Sequence, residues 1–133
     1  MIFSDKRFLY WLPAILWFGI IFYLSSIPSA DLPKMPSEDW LFWAHRTAHI
    51  GEYSVFGALV LRAYSYKKVR VGVITILFLS IFIFLAGSFD EWHQTFVPGR
   101  HGQLIDAVFD TICGALGMLF YLLWVKGLYL PKR

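Results

Sequence analysis

The sequence predicts an all-α fold: a four-helix transmembrane bundle with both chain ends on the cytoplasmic side and a polar pocket at the extracytoplasmic leaflet. Three observations point there. Of 133 residues, 58% are hydrophobic, 20% aromatic and only 16% charged, whereas a soluble domain carries about a quarter charged residues. The apolar residues gather in runs long enough to cross a bilayer, and mean hydropathy is +0.58. Lys and Arg are sorted by position along the chain instead of pooled in one patch, which fits membrane orientation and excludes a nucleic-acid surface. The one cysteine, Cys113, excludes an internal disulfide, and in its apolar run it reads as a small buried residue.

Residues 8–27 (FLYWLPAILWFGIIFYLSSI) form the first span, since at about 1.5 Å per residue the run crosses a hydrocarbon core of about 30 Å. Lys6 and Arg7 before it and Ser29-Ala30 after it have the look of a signal peptide. The run outlasts an h-region of about 7–15 residues, however, and Pro28 stands where a small residue precedes a cut, so the segment reads as an uncleaved helix. Residues 44–64 carry His45, Arg46, His49 and Glu52, each costly against lipid, which leaves an interfacial helix as the alternative to a second span. Residues 71–89 and 104–125 are clear spans, the last interrupted by Asp106 and Asp110.

Charge decides the second segment. If all four runs cross, Lys6, Arg7, Arg62, Lys67, Lys68, Arg70, Lys126, Lys132 and Arg133 share one side, against Lys34, Arg46 and Arg100 on the other. A surface helix at 44–64 would leave Lys67, Lys68 and Arg70 outside and abolish this positive-inside bias. The chain is therefore read as a single domain over 1–133 with four spans. Trp40, Trp43 and Trp92 then fall at the outer interface. Pro28, Pro33 and Pro36, with Asp31, Glu38 and Asp39, make the first outer loop turn-rich and non-helical, placed to cap what lies beneath. On span four Ala107, Thr111 and Ala115, with Cys113, Gly114 and Gly117, offer small surfaces for close helix packing.

This topology sends the polar residues of three helices to one depth. His45, His49, Glu52 and Tyr53 relate as i, i+4, i+7 and i+8, a single helical stripe, with Arg46 beside it; Asp106 and Asp110 relate as i, i+4; Asp90 faces His93 and Gln94, with Glu91 adjacent. A charge at the bilayer centre costs at least about 2.5–3.5 kcal/mol, so these stripes must turn inward to a shared pocket. The competing reading is a set of interlocked ion pairs that serve folding alone. Buried pairs are poor stabilisers, and the acids Glu52, Asp90, Glu91, Asp106 and Asp110 exceed what Arg46 and Arg100 can neutralise. Pro98-Gly99 and Gly102 mark a tight turn that carries Arg100, for which two readings stay open: a bidentate grip on a phosphate, or pairing with Glu91 or Asp106.

Three motifs in order carry a resemblance. They are His49-x-x-Glu52-Tyr53 on span two, Asp90-Glu91-x-His93-Gln94-x-Phe96-x-Pro98-Gly99-Arg100 after span three, and Asp106-x-x-x-Asp110-Thr111 followed by Gly114 and Gly117. Over about residues 8–125 the chain resembles the VanZ-like family of small polytopic membrane proteins, whose namesake is linked to low-level teicoplanin resistance in bacteria. The resemblance implies a multi-pass protein of the bacterial cytoplasmic membrane, a role in the cell envelope, and a partner among membrane lipids or lipid-linked cell-wall precursors. It implies no reaction, cofactor or oligomeric state. Where family members often carry Asp-Lys just before the span-two histidine, this chain has Arg46-Thr47-Ala48.

Two function classes fit the pocket. As an enzyme, it would hydrolyse or transfer a head group on an undecaprenyl-linked lipid or phospholipid, with catalytic candidates His49, Glu52, Asp90, Glu91, His93, Asp106 and Asp110, and with Arg100, Gln94, Tyr53 and Arg46 contacting substrate. Asp90 or Glu91 would act as general base and His93 or His49 as proton donor. As a binder or permeation protein, it would hold an antibiotic, a lipid head group or an ion without chemistry. His45, His49, His93, Glu52, Asp106 and Asp110 could supply mixed N/O ligands, yet no pair of histidines with a third ligand sits at a recognised spacing, so no metal site is assigned.

Overall fold

The computed structural model describes residues 7–66 and 71–129. They form four long helices, α1 (Arg7–Ser25), α2 (Glu38–Tyr64), α3 (Val73–Gln94) and α4 (Leu104–Tyr129), with a 3-10 turn at Ser29–Asp31 and no strand among the described residues. Of the basic residues behind the orientation argument, Lys6, Lys67, Lys68, Arg70, Lys132 and Arg133 lie outside the described residues, as do the side chains of Arg7 and Lys126.

Among the described residues, three helices are long and apolar enough to cross a membrane: Phe8–Ser25, Val73–Gln94 and Leu104–Val125. Their large apolar side chains point outward, with Ile74 at 83% and Phe120 at 72% exposure. A soluble fold would hide such faces, whereas lipid solvates them. Helix α2 is the exception. Its 27 residues are long enough to span, at about 40 Å, but its charges keep it out of the apolar set. It is instead the helix around which the bundle is built, with α4 packed along it and α1 against its flank. Tyr53, Val60 and Leu61 of α2 are fully buried with Ile83 of α3 and Met118 of α4.

The helices depart from the spans read in the sequence, most at the start of α2 and the end of α3. Helix α2 begins at Glu38, ahead of residue 44, because Ser37 caps it by accepting from the Trp40 N–H at 3.4 Å and because Glu38 and Asp39 occupy its first turn, where the helix dipole favours acids. Helix α3 continues past residue 89 to Gln94, since Asp90, Glu91 and Gln94 are buried against protein and hydropathy alone ends the run too soon. The first connection is not wholly irregular: Asp31 N donates to Pro28 O at 3.0 Å and Leu32 N to Ser29 O at 3.3 Å, closing the 3-10 turn.

That connection docks on the one between α3 and α4. Ser29 N donates to Pro98 O at 3.2 Å, and Gly99 adopts φ 74 beside it. Only glycine fits there, since a Cβ would collide with the Ser29 hydroxyl and the backbone conformation disfavours L side chains. The two loops thus close the same end of the bundle.

Candidate functional site

The site depends on how closely α2 and α4 approach. A Cβ on Gly57 would strike the Gly114 carbonyl, and one on Gly117 would strike the Ser54 carbonyl. Glycine at these positions therefore brings the two backbones into contact, as small residues do between membrane helices. Only with such an approach can a side chain as short as aspartate reach across. Asp110 Oδ1 lies 2.7 Å from His49 Nδ1, with both residues buried. One turn nearer the start of each helix, Arg46 Nη1 donates to Asp106 Oδ1 at 2.6 Å, while the guanidinium covers the rings of Phe42 and Phe109. The His49 Nε2 atom faces His45 Nε2 at 3.2 Å.

Helices α1 and α3 complete the cluster. Ser25 Oγ donates to Asp90 Oδ1 at 2.6 Å. Gln94 Nε2 divides itself between Asp90 Oδ2 and Glu91 Oε1, each at 3.1 Å. Glu91 Oε2 accepts from the Gln103 N–H at 2.8 Å, which ties α3 to the start of α4. Gly102 permits this turn, since a Cβ there would collide with the Glu91 carbonyl. Asp90, Glu91 and Gln94 are all buried.

Between these groups and the first loop lies a cavity of about 260 Å³. Leu32, Pro33 and Met35 of the loop, with Leu41 and Ala44 of α2, form apolar walls, and Ser25, His49, Glu52, Asp90 and Gln94 form a polar side. The Glu52 carboxylate accepts no hydrogen bond from the described residues; its backbone carbonyl takes the Trp17 indole N–H at 2.8 Å. A second cavity, of about 360 Å³, is lined by Phe18, Phe56, Phe82, Phe89 and their apolar neighbours. The two are stacked on the same helices. Glu52 lines the first and Phe56 the second, as do Asp90 and Ala86, each pair one helical turn apart.

The VanZ/LLP1 family profile matches residues 10–125. The chain belongs to this family. Every residue of the cluster falls inside the matched stretch, and no curated protein and no solved structure matches the chain. With its three apolar helices, this VanZ-type chain is a membrane protein.

Of the candidate residues named from the sequence, His49, Glu52, Asp90, Gln94 and Arg100 line the polar cavity of this VanZ-like protein, together with His45. Asp110 stands behind His49, and Tyr53 is buried one turn below it, its hydroxyl meeting no partner among the described residues. Glu91 is turned toward Gln94 and Gln103, and Asp106 toward Arg46. His93 stacks on Phe22 with ring centroids 4.2 Å apart, and its Nε2 meets Ser26 Oγ at 3.0 Å. Arg100 pairs with neither Glu91 nor Asp106. Its Nε donates to Ile27 O at 3.0 Å and its Nη2 to Leu24 O at 3.1 Å, capping the C-terminal end of α1.

Sequence reasoning overlooked α1 as a contributor. Ser25 and Ser26 end an otherwise apolar span at the depth of the acids, and that pair of hydroxyls was the available signal. It also assigned no metal site, whereas the fold brings one ligand atom each from His49, Glu91 and Asp110 within 4.8 Å of one another. These three come from three helices, so no spacing along the chain reveals them.

Proposed function

We propose that this protein spans the bacterial cytoplasmic membrane four times, with both ends in the cytoplasm, and acts at the outer leaflet on the polar head group of a lipid, either a phospholipid or an undecaprenyl-linked cell-wall precursor. One observation carries the reading: a cavity with acids, imidazoles and an amide on one side stands directly over an apolar groove on the same helices. An amphiphile has that pattern, head above and chain below. The apolar walls given by Leu32, Pro33 and Met35 would exclude water from the head, which strengthens every polar contact made there.

In this reading Glu52, whose carboxylate has no donor among the described residues, accepts the proton of the attacking hydroxyl or water. His45, on the same cavity, returns a proton to the leaving group. Asp90, held by Ser25 and Gln94, and Arg100 at the rim set the head group's position. A role in glycopeptide resistance, teicoplanin included, would follow from altering the lipid-linked precursor or the surface that the antibiotic meets.

The test is turnover. Full-length protein reconstituted in vesicles of phospholipid, and separately with undecaprenyl phosphate or diphosphate, should yield a new lipid species by thin-layer chromatography and mass spectrometry. Glu52→Gln should reduce its formation at least a hundredfold, consistent with the about 10²–10⁴-fold contributed by a positioned acid or base. A binder without chemistry is the second reading, favoured by the protein partners that Asp90, Glu91, Asp106 and Asp110 already have. Saturable lipid binding with no product would establish that reading and remove the enzyme.

A further inference from the structure

His49 and Asp110 have a third buried neighbour, Glu91, which lies outside the lining of the polar cavity. One ligand atom from each of the three lies within 4.8 Å of the others. A second, independent feature concerns Asp110 itself. It is 0% exposed, its Oδ1 is engaged by His49, and its Oδ2 meets no hydrogen-bond partner among the described residues. Buried carboxylates are paired, hydrogen-bonded or bound to metal, because an unmatched buried charge is expensive. The nearby cationic side chains do not supply the match. Arg46 is committed to Asp106 at 2.6 Å, and Arg100 turns its Nε and Nη2 to the carbonyls of Ile27 and Leu24.

We propose that His49, Glu91 and Asp110 bind one divalent metal ion, zinc or manganese, at the junction of α2, α3 and α4. One imidazole with two carboxylates is a donor set these ions accept, and three protein ligands leave positions open for water or substrate. Ligand atoms at about 2.0–2.2 Å from an ion stand about 3–4 Å apart, so a cluster whose atoms lie within 4.8 Å of one another needs only a small adjustment. His49 Nδ1 and Asp110 Oδ1, now 2.7 Å apart, would open to about 3 Å as the ion takes the place of the proton between them.

The surroundings match what a ligand set requires. Metal-bound histidines usually engage their other ring nitrogen, and bound carboxylates are themselves hydrogen-bonded. His49 Nε2 faces His45 Nε2 at 3.2 Å, and Glu91 is held by Gln94 at 3.1 Å and by the Gln103 N–H at 2.8 Å. Such an ion would polarise a phosphoryl oxygen of the head group, a consequence that rests on the lipid reading; the binding itself does not.

The test uses full-length protein in detergent, stripped with a chelator and dialysed, then titrated with zinc or manganese chloride by calorimetry and by thermal unfolding. The expected result is one ion per chain and a raised unfolding temperature for the wild type. Affinity should fall at least tenfold in Glu91→Gln and in Asp110→Asn, and remain unchanged in Asp39→Asn, which alters an exposed acid on the first turn of α2. The proposal is overturned if the stripped wild type takes up neither ion stoichiometrically, or if Glu91→Gln binds as tightly as the wild type. The wild-type titration decides the matter even if Asp110→Asn fails to fold. Stoichiometric binding with no lipid turnover would uphold the metal site and defeat the enzyme reading alone.

Discussion

The His49 imidazole and the Asp110 carboxylate meet at 2.7 Å across the α2–α4 interface, at 6% and 0% exposure. Such a contact adds little over a well-packed apolar pair, but breaking it from one side leaves a buried polar group unmatched. Asp110→Ala is expected to lower the unfolding free energy by about 3–5 kcal/mol, and His49→Ala by a similar amount. The double variant should lose less than the sum, since the second deletion removes a group that the first had stranded. Chemical unfolding in detergent measures all three, and additive losses would show that the two side chains are not coupled.

The approach that permits this contact is set by glycine, so it can be undone without touching the polar residues. Gly57→Val and Gly117→Val place side-chain atoms against the backbones of Gly114 and Ser54. Each should cost at least about 1–3 kcal/mol, the usual range for overpacking, and should separate His49 from Asp110. Gly19→Ala meets nothing within 4 Å and serves as the control, expected to be neutral or slightly stabilising because alanine favours helix. Thermal unfolding of the three variants would reject the assignment if Gly19→Ala were as damaging as the others.

Arg100 makes a separable prediction. Its planar guanidinium reaches two carbonyls at once, Leu24 O and Ile27 O, a fork that the single ammonium of lysine does not reproduce. Arg100→Lys should therefore loosen the end of α1 and the loop docked beyond it. The readout is faster amide exchange across residues 24–33 with the rest of the bundle unchanged. A role confined to binding phosphate would leave exchange in the free protein unaltered.

The residues show which parts of this arrangement a sequence can reveal. Three helices were legible because lipid demands long apolar runs, and the stripe His45, His49, Glu52 declared an inward face on the fourth by its spacing alone. The ends of α2 and α3 were not legible from hydropathy, because Trp40 to Trp43 and Asp90 to Gln94 are held by a cap and by burial rather than by apolarity. Which acid pairs with which base was likewise hidden. Arg46 with Asp106 and His49 with Asp110 depend on the relative rotation of two helices 60 or so residues apart, and that rotation is set by where Gly57 and Gly114 touch. Arg100 pairs with neither Glu91 nor Asp106 for a related reason: a guanidinium on a turn takes any acceptor in reach, and the fold brings it the unsatisfied carbonyls of Leu24 and Ile27 at the end of α1.

Orientation in the membrane is the remaining prediction, and the two docked loops make it testable. Ser29 bonds to Pro98, so the connections 26–37 and 95–103 lie at the same end of the bundle, while Ser65 closes α2 at the other. Four crossings with cytoplasmic ends require both connections to face outward and Ser65 to face the cytoplasm; an interfacial α2 would put Ser65 outside with the first connection and send 95–103 to the cytoplasm, apart from the Ser29 that bonds to Pro98. In a Cys113→Ala background, single cysteines at Asp31, His101 and Ser65 should divide cleanly. A membrane-impermeant maleimide should label the first two in intact cells, and Ser65→Cys only after permeabilisation. Cys113 is buried and unpaired, so its removal clears the background at the cost of one small core side chain. Labelling of Ser65→Cys in intact cells would reduce the protein to three crossings and move its charged helix to the surface.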